Sequence, residues 1–254
     1  MKIFGFIPAR MSSSRLPGKP LRLINGKPML EHVYERSKLY KKWDKLIVAT
    51  CDKKIINFCK SKNYNSIITS KKHRGCLDRV YEAVNKTCKN IKKNDVVVCI
   101  QGDEPMLHPG MISTVIKKLF SEKKAGATIL GMQIVNEQQF KNKNILKIVN
   151  DSRGEVLYCS RSPIPYLKKF TKKSYAKRIY GIFAFRYYFL KKYFKTAPSI
   201  LEIIESCDQN RICENNRGMY IAPFRFVESY SVDTYKDLKL VNNKIKKDTW
   251  SKKY

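Results

Sequence analysis

Short apolar runs alternate with amphipathic stretches through the first half of this chain, and that alternation restricts the fold more than any other feature. Residues 2–7, 45–50 (KLIVAT) and 66–69 read as strands, and 95–100 is a continuous β-branched run suited to a central parallel strand. Between them, Met29, Leu30, Val33 and Ser37 share one helical face, and a short helix covers 55–59. Leu77, Val80, Tyr81, Val84 and Cys88 follow the i, i+3, i+4, i+7 spacing, and Ile112, Val115, Ile116 and Leu119 mark a further helix. Strands interleaved with helices in this way predict βαβ units and a doubly wound, mostly parallel sheet. The chain has 254 residues, 43% of them hydrophobic. That is enough for one large α/β domain, or two small ones, with a substantial core.

The second half is less regular. Residues 127–135 and 145–149 read as strands, 179–185 as an aromatic strand, 200–215 as helical and 219–227 as extended. The stretch 157–176, with Pro163-Ile164-Pro165 and many lysines, reads as an excursion from the sheet. A last helix over 235–245 puts Leu238, Val241 and Ile245 on one face. There is no internal repeat and no linker.

A net charge of +31 calls for a reason. A polyanionic partner is one. The lysines, however, come as doublets along the whole chain (41–42, 92–93, 172–173 and 246–247 among them), which favours solvated faces over a binding stripe. A nucleic-acid-binding protein without catalysis is therefore a weak reading, since no binding module is visible. No apolar run reaches the length of a membrane span, and the first residues read as a strand and not as a signal peptide. The eight cysteines are scattered without a CxxC pair, as expected of reduced thiols in the cytoplasm.

Three clusters could carry chemistry. The first, 7–21, lies between a strand and a helix and holds Arg10, Arg15, Lys19, three serines and Gly18. Cations, hydroxyls and backbone N–H groups without bulk between them can cradle phosphates. It is neither a Walker A loop nor GxGxxG, and a basic surface loop is the alternative. The second, Gln101-Gly102-Asp103-Glu104-Pro105, ends the central strand, where open α/β sheets bind ligands. Asp103 is the natural Mg²⁺ ligand there and Glu104 a structural residue, with a solvated acidic turn as the alternative. The third is Ser231-Val232-Asp233-Thr234. Its local context favours a helix cap, and a second metal ligand is the sharper reading.

In order along the chain, these clusters resemble one family, the 3-deoxy-manno-octulosonate (Kdo) cytidylyltransferases. The residues Ile7-Pro8-Ala9-Arg10 with Arg15-Leu16-Pro17-Gly18-Lys19-Pro20-Leu21 are similar to its N-terminal signature, and Asn25-Gly26-Lys27-Pro28-Met29 continues it. The strand-end motif at 101–105 resembles its metal-site motif, and 157–166 (LYCSRSPIPY) its LYFSRxxIPx segment. Residues 198–202 and 205–211 resemble the helix near its sugar pocket, and Val232-Asp233-Thr234 with Asp237-Leu238 its VDTPEDL element. The resemblance implies a Rossmann-like nucleotide-diphospho-sugar transferase fold in a single domain. Residues 1–150 would form the nucleotide core, 151–230 the acceptor and dimerisation part, and 231–254 the metal-ligand loop and last helix.

It also implies attack of a sugar acid's anomeric hydroxyl on the α-phosphorus of CTP, with loss of pyrophosphate, in lipopolysaccharide or surface-polysaccharide synthesis. Arg10 and Lys19 would hold phosphates, helped by Arg15 and Ser13. Pro8, Ala9, Arg79 and Gln101 would complete the nucleotide side. Mg²⁺ on Asp103 and Asp233 would activate the hydroxyl. Arg161, Glu202 and Gln209 fall on the acceptor side, and a homodimer would form through the part after the main sheet.

Two departures bear on specificity. The family's HxSGTxR segment is here His73-Arg74-Gly75-Cys76-Leu77-Asp78-Arg79, whose end is closer to a VLDR segment of spore-coat-polysaccharide cytidylyltransferase-like proteins. Kdo enzymes carry a His where Ile179 stands, and tyrosines where Phe183 and Phe185 stand. An isoleucine cannot hydrogen-bond a sugar hydroxyl, so a modified Kdo, a nonulosonic acid or a less polar acceptor is the alternative substrate. A relative that only binds nucleotide is a further alternative, against which the intact Arg10, Lys19, Asp103 and Asp233 argue.

Overall fold

The computed structural model describes residues 1–171, 174–215 and 217–254. The Lys172–Lys173 doublet and Asn216 lie outside the described residues. The chain forms two compact units, one of Met1–Ser113 with Glu228–Tyr254 and one of Thr114–Val227. The spans expected from the sequence divide instead near 150 and 230; here 228–254 belongs with the N-terminal unit.

The first unit runs β1 (Ile3–Ala9), a small hairpin of β2 (Leu23–Ile24) and β3 (Lys27–Pro28), α1 (Met29–Lys38), β4 (Lys45–Thr50), α2 (Lys53–Ser61), β5 (Ser66–Ile68), α3 (Cys76–Thr87) and β6 (Val96–Ile100). Its strands lie in the order β6-β1-β4-β5, all parallel. Parallel neighbours need crossovers, which the intervening helices supply. β6 is buried along its whole length, as its β-branched run predicts. Asp95 stops short of the strand, because its carboxylate accepts from the N–H groups of Lys2 and Lys92. α3 buries Leu77, Val80, Ala83 and Val84, on the face that the spacing marked.

The β2–β3 hairpin was not foreseen. Asn25 and Gly26 turn it at φ 48° and 80°, a left-handed pair that Asn and Gly adopt at low cost. After α4 (Pro109–Ser121) and the second unit, the chain returns for α9 (Tyr235–Ile245). A core cluster of Leu16, Ile24, Met29, Met106, Val232, Val241 and Ile245 binds the loop after β1, the hairpin, the segment after β6 and α9 into one body.

The second unit contains β7 (Ala127–Gln133), α5 (Glu137–Lys141), β8 (Lys147–Asn150), β9 (Val156–Ser160), β10 (Lys177–Arg186), α6 (Tyr187–Lys195), α7 (Ile200–Glu205), α8 (Asp208–Asn215) and β11 (Met219–Phe224). β10 is antiparallel to β7 and β8, β9 is antiparallel to β8, and β11 is parallel to β7. Two local expectations are corrected here. The excursion begins after Ser160, since β9 takes the start of 157–176. The single helix expected over 200–215 is two, broken where Ser206 adopts a left-handed φ of 48°. The aromatic run 187–195, unassigned from the sequence, is a helix, burying Phe189, Leu190 and Tyr193 on one side.

Candidate active site

The chain leaves the sheet at the end of β1 with Arg10 exposed, while Pro8 and Ala9 are buried. The loop that follows folds on itself. Met11 O accepts from the N–H groups of Ser13 (3.0 Å) and Gly18 (3.1 Å). Ser13 Oγ accepts from Leu16 N (3.3 Å). Asp52, beyond the end of β4, holds the N–H of Met11 at 2.9 Å. Leu16 is fully buried and anchors the loop, and Gly18 at φ 70° turns it into the 3₁₀ segment Lys19–Leu21. Lys19 is thereby directed at the end of β6.

There Gly102 permits a close approach. A Cβ on it would sit 2.9 Å from the carbonyl oxygen of Pro8, so only glycine fits without a shift. Asp103 follows. Its backbone carbonyl accepts from Val232 N at 2.9 Å, which brings the segment 231–234 alongside. Lys19 Nζ then donates to Asp103 Oδ2 at 2.7 Å, Asp233 Oδ1 at 3.1 Å and Val232 O at 3.0 Å. Arg15 pairs with the same Asp233 oxygen at 3.0 Å. Burial pulls the Lys19 ammonium down, but the charges and hydrogen bonds of Asp103 and Asp233 outweigh it and raise the net pKa.

The two readings of Asp233 and its neighbours are reconciled by a division of labour. Thr234 is the N-cap of α9, in a reciprocal capping box with Asp237. That leaves the Asp233 carboxylate for Lys19 and Arg15. Glu104 is structural, as its position suggested. It is buried, and both of its carboxylate oxygens accept from Ser231 Oγ, at 2.8 and 2.9 Å. Ser231 and Asp52 as supports of the site were not foreseen; the position of Asp52 just past a strand end was the available signal.

The donor set fits a divalent cation. Two carboxylates share one cationic neighbour, and Asp103 Oδ1 is buried with no hydrogen-bond partner among the described residues. Mg²⁺ binds through one or two carboxylates plus phosphate oxygens and water. An orphaned carboxylate oxygen is the kind of atom such an ion satisfies.

Other residues singled out in the sequence are placed differently. Gln101 Nε2 lies 3.7 Å from Cys76 Sγ, in the altered 73–79 segment. Arg79 is buried and donates to Thr69 Oγ1 (2.6 Å) and Ser70 O (3.2 Å), so it braces β5 against α3. His73 pairs with Glu82, whose other oxygen takes Lys86. In the second unit, Arg161 Nε donates to Glu205 O, and the Glu205 carboxylate accepts from Tyr158, Ser160 and the Arg161 N–H. Lys147, fully buried, gives its ammonium to the carbonyls of Asn142, Ile145 and Arg161. Burial first, then the Arg161 charge, draws that ammonium down to about 8, with Glu205 opposing. Glu202 is committed to Arg211 through two bonds of 2.6 and 2.7 Å and to the cap of α7. Gln209 Oε1 accepts from Cys207, and its Nε2 is buried without a partner.

Parallel strands whose carboxyl ends carry a folded basic loop and an aspartate pair bridged by a lysine define a nucleotidyltransferase of the Rossmann-like α/β class. Comparison with known proteins narrows this. The sequence pattern of the cytidylyltransferase family matches residues 4–221. The 3-deoxy-manno-octulosonate cytidylyltransferase of Thermodesulfovibrio yellowstonii is 38% identical over 242 residues, 92% of this chain and 94% of the relative. That of Fusobacterium nucleatum is 39% identical over 249 residues, 98% of each. The solved structure of a CMP:2-keto-3-deoxy-manno-octonic acid synthetase complexed with CTP superposes with a TM-score of 0.85 at 31% identity, covering 97% of this chain and 99% of that one. The chain belongs to the cytidylyltransferase family.

Proposed function

We propose that the protein transfers CMP from CTP to the anomeric hydroxyl of Kdo, releasing pyrophosphate, with Mg²⁺ held by Asp103 and Asp233. The observation that carries this is the Asp103–Lys19–Asp233 cluster with its orphaned Asp103 oxygen. Support for the substrates comes from relatives named for that reaction and from the neighbour bound to CTP.

When bound, the metal supplies a Lewis acid that polarises the α-phosphate and lowers the pKa of the attacking hydroxyl. The remaining work falls to the chain's own groups. Arg10, exposed at the end of β1, is free to reach phosphate oxygens. Lys19, kept protonated by its two aspartates, offsets charge that grows as pyrophosphate leaves. Arg15 and Ser13 hold the loop around them. On the acceptor side, Arg161 is fixed by Glu205, and Glu202 acts through Arg211 and not by direct contact.

A homodimer is part of the proposal. Ile200, Ile203 and Ile204 on α7 are 72%, 61% and 71% exposed, an apolar face suited to a second copy. The cytoplasm as the compartment is supported by the eight free cysteines. Among the described residues no helix is long and apolar enough to cross a membrane. Ile179, half-buried on β10, favours a second reading in which the acceptor is another acidic sugar.

The test is pyrophosphate release with each of the four NTPs and a panel of acidic sugars, with and without Mg²⁺, using Asp103→Ala as control. Release with CTP and Kdo that needs both Mg²⁺ and Asp103 supports the proposal. Release only with another acid moves the substrate and keeps the chemistry. Undiminished release by the Asp103→Ala protein refutes the metal assignment.

A further inference from the structure

A cavity of about 400 Å³ opens at the amino ends of β1 and β4, the ends opposite to those that carry Asp103 and Lys19. Lys2, Lys45, Lys86 and Lys89 line it together with Phe4 and Ile91. Among the described residues no carboxylate lines it. The acids closest in sequence are spent on the backbone: Asp44 accepts from the N–H of Ile3, and Asp95 from those of Lys2 and Lys92. Two of the four ammonium groups are partly satisfied. Lys45 donates to Thr87 O, and Lys86 to Ile68 O and Glu82. Lys2 and Lys89 make no side-chain hydrogen bond or ion pair among the described residues.

The charges converge on the cavity. Burial pushes the Cys88 thiol up and Asp44 adds to this, while Thr87, Lys45 and Lys2 pull it down, so both ammonium groups act on one residue of the lining. Like charges drawn around a concave, partly apolar surface repel one another unless an anion joins them. The volume falls in the range of small-molecule sites. Lys2 and Lys89 thus place two ammonium groups, without a side-chain partner among the described residues, on one cavity whose described lining holds no carboxylate.

We infer that this cavity is a second anion site, separate from the candidate active site, that takes an organic polyphosphate of the nucleoside di- or triphosphate class. The ring would rest on Phe4 and Ile91, and the phosphates would meet the lysines. The inference does not depend on the identity of the acceptor sugar or of the metal.

The test is lysine acetylation of the full chain, read residue by residue by mass spectrometry, with ATP or inorganic tripolyphosphate as probe and saturating CTP present. ATP is expected to slow acetylation of Lys2, Lys45, Lys86 and Lys89 relative to Lys53 and Lys54 on α2. Lys2→Gln with Lys89→Gln removes two charge-assisted contacts and should raise the ATP concentration needed to protect Lys45 and Lys86 by about tenfold or more. Neither residue makes a bond that the fold needs, and neither belongs to the candidate active site. Protection spread evenly over the chain's lysines, or unchanged in the double variant, overturns the site. Equal protection by tripolyphosphate overturns the role of the apolar lining.

Discussion

Glu202→Ala is expected to damage the protein through stability, and the structure sets the scale. The Glu202 and Arg211 side chains are 10% and 5% exposed, and two short bonds join them. Removing Glu202 leaves the guanidinium buried with Thr196 O at 3.4 Å as an acceptor and the Tyr193 ring 4.3 Å away. Breaking a buried pair from one side costs about 3–5 kcal/mol. The Ser199 N–H also loses its acceptor in the α7 capping box, which adds roughly 0.5–1 kcal/mol. Against a total stability of about 5–15 kcal/mol this is a large share. Urea unfolding should be followed by far-UV circular dichroism, because Trp43 and Trp250 both lie in the first unit and report little on Glu202. Replacing the pair together, Glu202→Met with Arg211→Met, should recover about half or more of the loss, since no buried charge is then left alone. A cost below about 1 kcal/mol for Glu202→Ala, or a double variant as unstable as the sum of the singles, would refute the reasoning.

Gly102→Ala places a Cβ 2.9 Å from a backbone oxygen that cannot swing away, so it should cost about 1–3 kcal/mol of stability and misplace Asp103. Comparing thermal melts with turnover at matched folded fraction checks both effects. Asp103→Asn keeps the shape of the side chain and removes its charge; kcat should fall by about a hundredfold or more while the melting temperature stays close to that of the parent. Glu82 should show in acid. Burial pushes its carboxyl up, but Lys86, the Ser70 N–H and His73 overcome this and hold it at about 2, below the ordinary 4.5. A depressed carboxylate stabilises the fold above the unfolded pKa and loses that contribution as pH falls from about 4.5 through about 2. Glu82→Gln should therefore flatten the stability profile over that window, as measured by urea midpoints from pH 5 to 2.

Much of the fold was legible because its signals are local. The strands over 45–50 and 95–100 and the helix over 235–245 combine a clean period with suitable residue types, and each appears within a residue of its expected bounds. Where the signal was mixed, the reading was absent or incomplete. Tyr187, Tyr188, Phe189, Tyr193 and Phe194 have β-type propensities, yet α6 forms because one of its faces packs inward. The break at Ser206 leaves no mark in a polar stretch that is otherwise suited to a helix. The site was legible as far as residue type and place along the sheet can go. Arg79 and Glu202 show the limit. A sequence gives a charge but not the direction it faces, and both turn inward to partners brought near by the fold.

With 52 Lys and Arg against 21 Asp and Glu, cations outnumber carboxylates more than two to one, so an ion pair by itself distinguishes little. What distinguishes the acids is the use of their oxygens. Asp95 closes a turn with both oxygens, Glu104 takes Ser231 on both, Glu202 takes Arg211 on both, and Glu205 gathers Tyr158, Ser160 and a backbone N–H. Asp103 gives one oxygen to Lys19 and keeps the other buried and bare. Leaving such an atom without a partner costs about 1–3 kcal/mol, a cost that a lysine-rich chain could relieve with any nearby ammonium group. A buried carboxylate oxygen kept bare in this way is what the proposed metal site requires. That is the physical reason for proposing the metal at Asp103 and not at Glu104, its immediate neighbour.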